Sequence, residues 1–119
     1  HLNGLIKHQD ESGMWHQVVD IPGTYLEFSA TAMIGYSIAR GIREGWLDEE
    51  WRPIVEKTWN AIAQRISEQG ELEHVCVGTG PLNTLNEYII RPYTDGLDDR
   101  GGAMALWFAV EMARLEIGV

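Results

Sequence analysis

Apolar positions at helical spacing organise most of the chain. Leu2, Leu5 and Ile6 fall at i, i+3 and i+4 with no capping residue before them. That opening reads as a helix entered in its middle, and the chain as a piece of a longer protein. Asp10-Glu11-Ser12-Gly13 is a turn by composition, and Met14–Val19 mixes apolar and polar residues as a short extended segment does. After the break at Asp20-Ile21-Pro22-Gly23-Thr24, a helix is predicted over Tyr25–Gly41, with Thr24 as N-cap and Glu27 at capping-box spacing. A second is predicted over Glu49–Ser67, where Trp51, Ile54, Val55, Thr58, Trp59, Ile62 and Ile66 trace one stripe. Asp48 offers its cap, Pro53 sits in its first turn, and Gly70 stops it. Glu71–Val77 reads as extended. The stretch to Leu97 reads as irregular, broken by Pro81, Pro92 and Gly96. A last helix, over Arg100–Glu116, is capped by Asp98 or Asp99. The predicted class is all-α with long loops.

The first and last of these helices share a composition. Ser29, Ala30, Ala32, Gly35, Ser37 and Ala39 crowd one, and Gly101, Gly102, Ala103, Ala105 and Ala109 the other. Glycine inside a helix is unfavourable, so close approach of neighbouring backbones should compensate. The two also align at an offset of 71, matching Glu27 with Asp98, Ala32 with Ala103, Met33 with Met104 and Tyr36 with Trp107. The helix between them is amphipathic. Crowded helices alternating with amphipathic ones suit an inner and an outer layer, and a bundle burying its small-residue helices is the other arrangement.

Charge then narrows the partners. The 119 residues carry nine Lys and Arg against eighteen Asp and Glu, a net charge of −9. Such a surface disfavours nucleic acid and anionic membranes alike. One cysteine, Cys76, cannot make an internal disulfide and leaves the compartment open.

Five Trp and four Tyr, several of them in loops, bring candidate chemistry. Trp15, His16, Gln17 and Asp20 precede Tyr25 and Glu27. Aromatic faces beside amides and carboxylates suit a sugar ring, although for any one of these residues alone the structural role, Trp15 as a core plug and Gln17 as a partner for backbone groups, is the favoured reading. Arg100 adds positive charge to the positive end of a helix, so a carboxylate or an anionic ligand must offset it. Asp98, Asp99 and Glu27 are the internal choices. His1, His8, His16 and His74 lack the spacing of a metal site, and Gly78-Thr79-Gly80 lacks the glycine spacing and lysine of a phosphate loop. No metal or other cofactor is expected.

The run Gln9-Asp10-Glu11-Ser12-Gly13-Met14-Trp15-His16-Gln17-Val18-Val19-Asp20, then Tyr25-Leu26-Glu27-Phe28-Ser29-Ala30-Thr31-Ala32-Met33, resembles the unsaturated uronyl hydrolases of glycoside hydrolase families 88 and 105. Asp98-Asp99-Arg100-Gly101-Gly102-Ala103-Met104-Ala105 is similar to their closing helix. The resemblance covers the whole chain but only the C-terminal third of a family member. It implies a fragment of a six-hairpin α/α barrel, with residues 1–119 as the C-terminal part of one catalytic domain. It further implies removal of a Δ4,5-unsaturated uronic acid from lyase-generated oligosaccharides by hydration of the vinyl ether. The family's catalytic Asp lies in its N-terminal half, so no catalytic residue is expected in this chain. Trp15, His16, Gln17, Asp20, Glu27 and Arg100 are then candidate substrate-binding residues, and the partners are the unsaturated oligosaccharide and the rest of the barrel. Another α/α-barrel sugar enzyme, epimerase-like, and a helical-repeat interaction module are the competing readings.

Overall fold

The computed structural model describes residues 1–118. Helix α1 (Leu2–Ile6) leads to strand β1 (Trp15–His16), which pairs antiparallel with β2 (Leu26–Glu27). Helix α2 (Phe28–Arg43) follows at once. A 3-10 turn (Glu49–Trp51) runs into α3 (Arg52–Ala63). Then come β3 (Leu72–Cys76), α4 (Leu85–Ile89), β4 (Tyr93–Gly96) and α5 (Asp99–Ile117), with β3 antiparallel to β4.

The all-α expectation is therefore corrected by two short antiparallel ribbons. The first closes around Thr24, whose hydroxyl donates to Ile21 O at 2.9 Å and accepts from Val18 N at 3.1 Å. That hydroxyl is spent on the turn, so Thr24 does not cap a helix. Capping falls to Glu27, whose side chain accepts from Ala30 N, and α2 starts three residues later than predicted. In the stretch read as irregular, Thr84 and Glu87 form a capping box that starts α4, and Tyr93–Gly96 joins β3. Helix α3 stops at Ala63, short of Ser67, because Ile66 bridges to Leu72 across the turn at Gly70.

Helices α2 and α5 lie side by side and run parallel. Near their N-termini both meet β3: Cys76 N donates to the Glu27 cap, and Gly101 lies against Leu72 and Val75. Near the other end Arg43 donates to Glu111 through Nε at 2.7 Å and Nη2 at 3.3 Å. Midway, the Phe108 ring fills the space where a Cβ on Gly35 would sit. The small residues thus act as close approach requires. The sequence offset of 71 has a structural counterpart as well. Asp98 caps α5 through Gly101 N as Glu27 caps α2 through Ala30 N, and Tyr36 packs on Trp107 with ring centroids 5.8 Å apart.

Helix α3 covers one side of this pair. Its Val55, Thr58, Ala61 and Ile62 are buried, and Trp59 meets Phe108 edge-on at 5.2 Å. The opposite side is bare. Met33, Leu106, Trp107 and Val110 are each about half exposed there, and hollows of about 200 and 300 Å³ flank Tyr36 and Trp107.

Candidate functional site

Helices α2 and α5 open at one end, and the groups gathered there are tied by Glu27. This carboxylate is 2% exposed and accepts from Ala30 N, from Ser29 Oγ at 2.7 Å and from Cys76 N at 2.9 Å. One acid thus caps α2 and holds the end of β3 against it. With three donors on its two oxygens, Glu27 acts as a clamp, most of its acceptor capacity already taken up. Glu27→Ala removes a cap and leaves the Cys76 N–H unpaired, together about 2–4 kcal/mol of stability. Urea unfolding of the variant checks it.

Gln17 and Arg100 border the same strand end. Gln17 Nε2 lies 3.6 Å from the Cys76 thiol. Arg100 pairs with Asp98 at 3.1 Å, so the charge at the start of α5 is offset from within. Its guanidinium lies over Gly78, where a Cβ would fall 2.7 Å from Nη1. Arg91, a residue that no sequence signal marked, donates through Nε at 2.8 Å and through Nη2 to the Gly78 carbonyl. Among the described residues it has no carboxylate partner. Two guanidiniums therefore converge on Gly78, at the mouth between the N-terminal ends of α2 and α5.

Asp98 is held below the ordinary carboxylate range, first by the Gly101 N–H and then by Arg100, against the opposing effect of burial. Its folded value lies below its unfolded one. It therefore stabilises the fold above about pH 4, and that contribution disappears as pH falls through the lowered value. Asparagine caps helices as well as aspartate does. Asp98→Asn should accordingly keep α5 and flatten the acid limb of a stability–pH curve.

The remaining candidates go elsewhere. Trp15 is 1% exposed, gives its indole N–H to Leu5 O at 2.7 Å and its backbone N–H to the Thr31 hydroxyl at 3.0 Å. It is a core plug, with no ring face open to stack on a sugar. His16 and Asp20 line a separate polar hollow of about 270 Å³ with Lys7, His8 and Asp10. There His16 Nδ1 lies 2.6 Å from Thr24 O and Nε2 lies 3.4 Å from Asp10. Asp10 is itself held low, chiefly by its hydrogen bonds with Ser12. The six candidates thus fall into a mouth (Gln17, Glu27, Arg100), a side hollow (His16, Asp20) and the core (Trp15).

A second cluster at the mouth was not foreseen. Tyr25, His74 and Tyr93 pack ring against ring, and burial, helped by Cys76, pushes the Tyr25 phenol far above its usual range. Tyr25 Oη has no hydrogen-bond partner of good geometry among the described residues. Among those residues no three His, Cys, Asp or Glu side chains gather as metal ligands, and no helix is long and apolar enough to cross a membrane.

Parallel helices α2 and α5, each entered from a strand ribbon through an acidic cap, with α3 linking them in sequence, make a helical-hairpin unit. The family profile of Glycosyl Hydrolase Family 88 matches residues 1–116. The chain belongs to that family of hydrolases. It is 32% identical over 113 residues to the unsaturated rhamnogalacturonyl hydrolase YesR of Bacillus subtilis, covering 95% of this chain and 31% of YesR. It is 33% identical over 85 residues to the unsaturated 3S-rhamnoglycuronyl hydrolase of an Alteromonas species, 68% of this chain and 21% of that protein. Among solved structures, a possible glycoside hydrolase family 105 member from Salmonella enterica superposes with a TM-score of 0.89 at 37% identity, over 95% of this chain and 29% of its own. A family 105 glycoside hydrolase from C. acetobutylicum shares the fold with a TM-score of 0.82 at 24% identity, over 94% of this chain and 35% of its own. The chain spans about a third or less of the relatives it matches. Membership of a hydrolase family sets aside the interaction-module reading.

Proposed function

We propose that this chain is the C-terminal part of the catalytic α/α barrel of an unsaturated uronyl glycoside hydrolase. The intact enzyme removes a Δ4,5-unsaturated uronic acid from the non-reducing end of an oligosaccharide. The observation that carries the reading is the match to YesR along 95% of the chain. An acid protonates the vinyl ether, water adds to the adjacent carbon, and the resulting hemiketal opens and releases the remaining sugar. The chain's own buried acids are poorly suited to that first step. Glu27 is engaged by three donors, and Glu111, 3% exposed, is paired with Arg43 and Arg114. Both are structural, which supports an acid supplied from outside these residues.

The bare side of α2 and α5 supports the same reading. Half-exposed Met33, Leu106, Trp107 and Val110 form a continuous apolar face of the kind an inner helix layer turns toward further inner helices. The rest of the barrel covers it. Gln17 and Arg100 then border the substrate mouth, with His16 and Asp20 to one side. The full-length enzyme should bleach the ultraviolet absorbance of an unsaturated disaccharide, and the 119-residue chain alone should not. Full-length protein that leaves the unsaturated bond intact would refute the proposal.

A further inference from the structure

The β3–β4 ribbon carries a cluster that the capping network does not use. Its register pairs Leu72 with Gly96, Val75 with Thr94 and Cys76 with Tyr93, so Glu73 and His74 together face Asp95 alone. The extra residue makes a bulge, a device that re-aims a side chain. His74 takes φ +58°, in the left-handed region that glycine occupies without cost. Its N–H donates to Asp95 Oδ1 at 2.7 Å, which holds the bulge. The imidazole is thereby set against Tyr93, with ring centroids 4.0 Å apart and the two planes tilted by 42°. Tyr25 meets Tyr93 edge-on at 4.8 Å and His74 at 6.2 Å.

Burial grades across the three rings. The Tyr25 hydroxyl is buried, whereas Tyr93 is 43% exposed and the His74 and Asp95 side chains are 40% and 57% exposed. A fold seeking only stability would place glycine at position 74 and keep the bulge free of strain. Instead the strain presents an imidazole beside an open phenol. Flat rings accept the C–H face of a pyranose, and the imidazole, phenol and carboxylate at their rim take directed hydrogen bonds from its hydroxyls. The platform stands at the mouth, because Cys76, two residues beyond His74, is the residue bound to the Glu27 cap.

We propose that His74 and Tyr93, seated on Tyr25, form a stacking subsite for the sugar ring on the leaving side of the cleaved bond. The inference rests on the unsaturated-uronide reading above. The ring whose double bond is protonated must lie against the general acid, which that reading puts outside this chain. A platform on this chain meets its neighbour.

Two substrates test it with the full-length enzyme: an unsaturated disaccharide, and the methyl glycoside of the same unsaturated uronic acid, which lacks the second ring. Tyr93→Ala and His74→Gly should each lower kcat/KM on the disaccharide about tenfold, the loss of one stacking contact. Both should leave the methyl glycoside unchanged. Tyr93→Phe keeps the stacking face and loses only the rim hydroxyl, so it should lower the disaccharide rate less than Tyr93→Ala. Glycine takes the bulge conformation freely, so His74→Gly should melt no lower than the unaltered enzyme, which separates binding from folding. Equal losses on both substrates, or no loss on either, would overturn the subsite. An unaltered enzyme inert toward both would instead overturn the uronide reading and the subsite with it, a result distinct from variants that fail to discriminate.

Discussion

Trp15→Ala is expected to remove about 3–5 kcal/mol of stability, the usual cost of truncating a buried tryptophan. The ring is 1% exposed, and its indole N–H is tied to Leu5 O. Truncation opens a cavity and also releases α1, a five-residue helix with no buried residue of its own. Helices that short have little intrinsic stability. Against a typical total of about 5–15 kcal/mol, one substitution would take a large share. The urea midpoint should fall, and amides of α1 should lose their exchange protection. Trp15→Phe keeps most of the volume and gives up only the indole donor, so it should cost about 1 kcal/mol. An unchanged midpoint with weakened sugar binding would put the ring back on a binding surface.

Trp15 also shows what a sequence can and cannot convey. Its place just before Gln17 and Glu27 grouped it with the candidate binding residues, but nothing in the string says which of alternating residues turns inward. Pairing settles that: Trp15 lies opposite Glu27, and both are buried. The helices were legible because small-residue crowding and amphipathic stripes are local patterns. Two of their boundaries were misplaced where a competing interaction just outside the helix intervened. Thr24 was taken by its own turn, and Leu72 drew Ile66 out of α3. The capping box of Thr84 and Glu87 was readable and hidden only by the prolines around it. His74 and Arg91 were illegible for a different reason. A left-handed histidine follows from a bulge between strands twenty residues apart, and the Gly78 carbonyl that orients Arg91 has no sequence signature.

The parallel pairing of α2 and α5 stands on one contact more than on any other, and a double-mutant cycle should expose it. Gly35 is buried within α2, and a Cβ there would run into the Phe108 ring. Phe108 is fully buried and braced from its other side by Trp59, edge-on at 5.2 Å, so it has little room to retreat. Gly35→Ala gains up to about 1 kcal/mol of helix propensity. Overpacking outweighs that gain where the neighbour cannot move, and a net loss of about 1–3 kcal/mol is expected. Phe108→Leu alone costs stability by leaving part of the ring's volume empty. Combined, the two changes should cost less than the sum of their separate effects by about 1–2 kcal/mol, because the new methyl enters space that the ring vacates. Urea unfolding of the four proteins gives the coupling directly. Simple additivity would mean that the helices slide to relieve the clash and that the fit of ring to glycine does not set their separation.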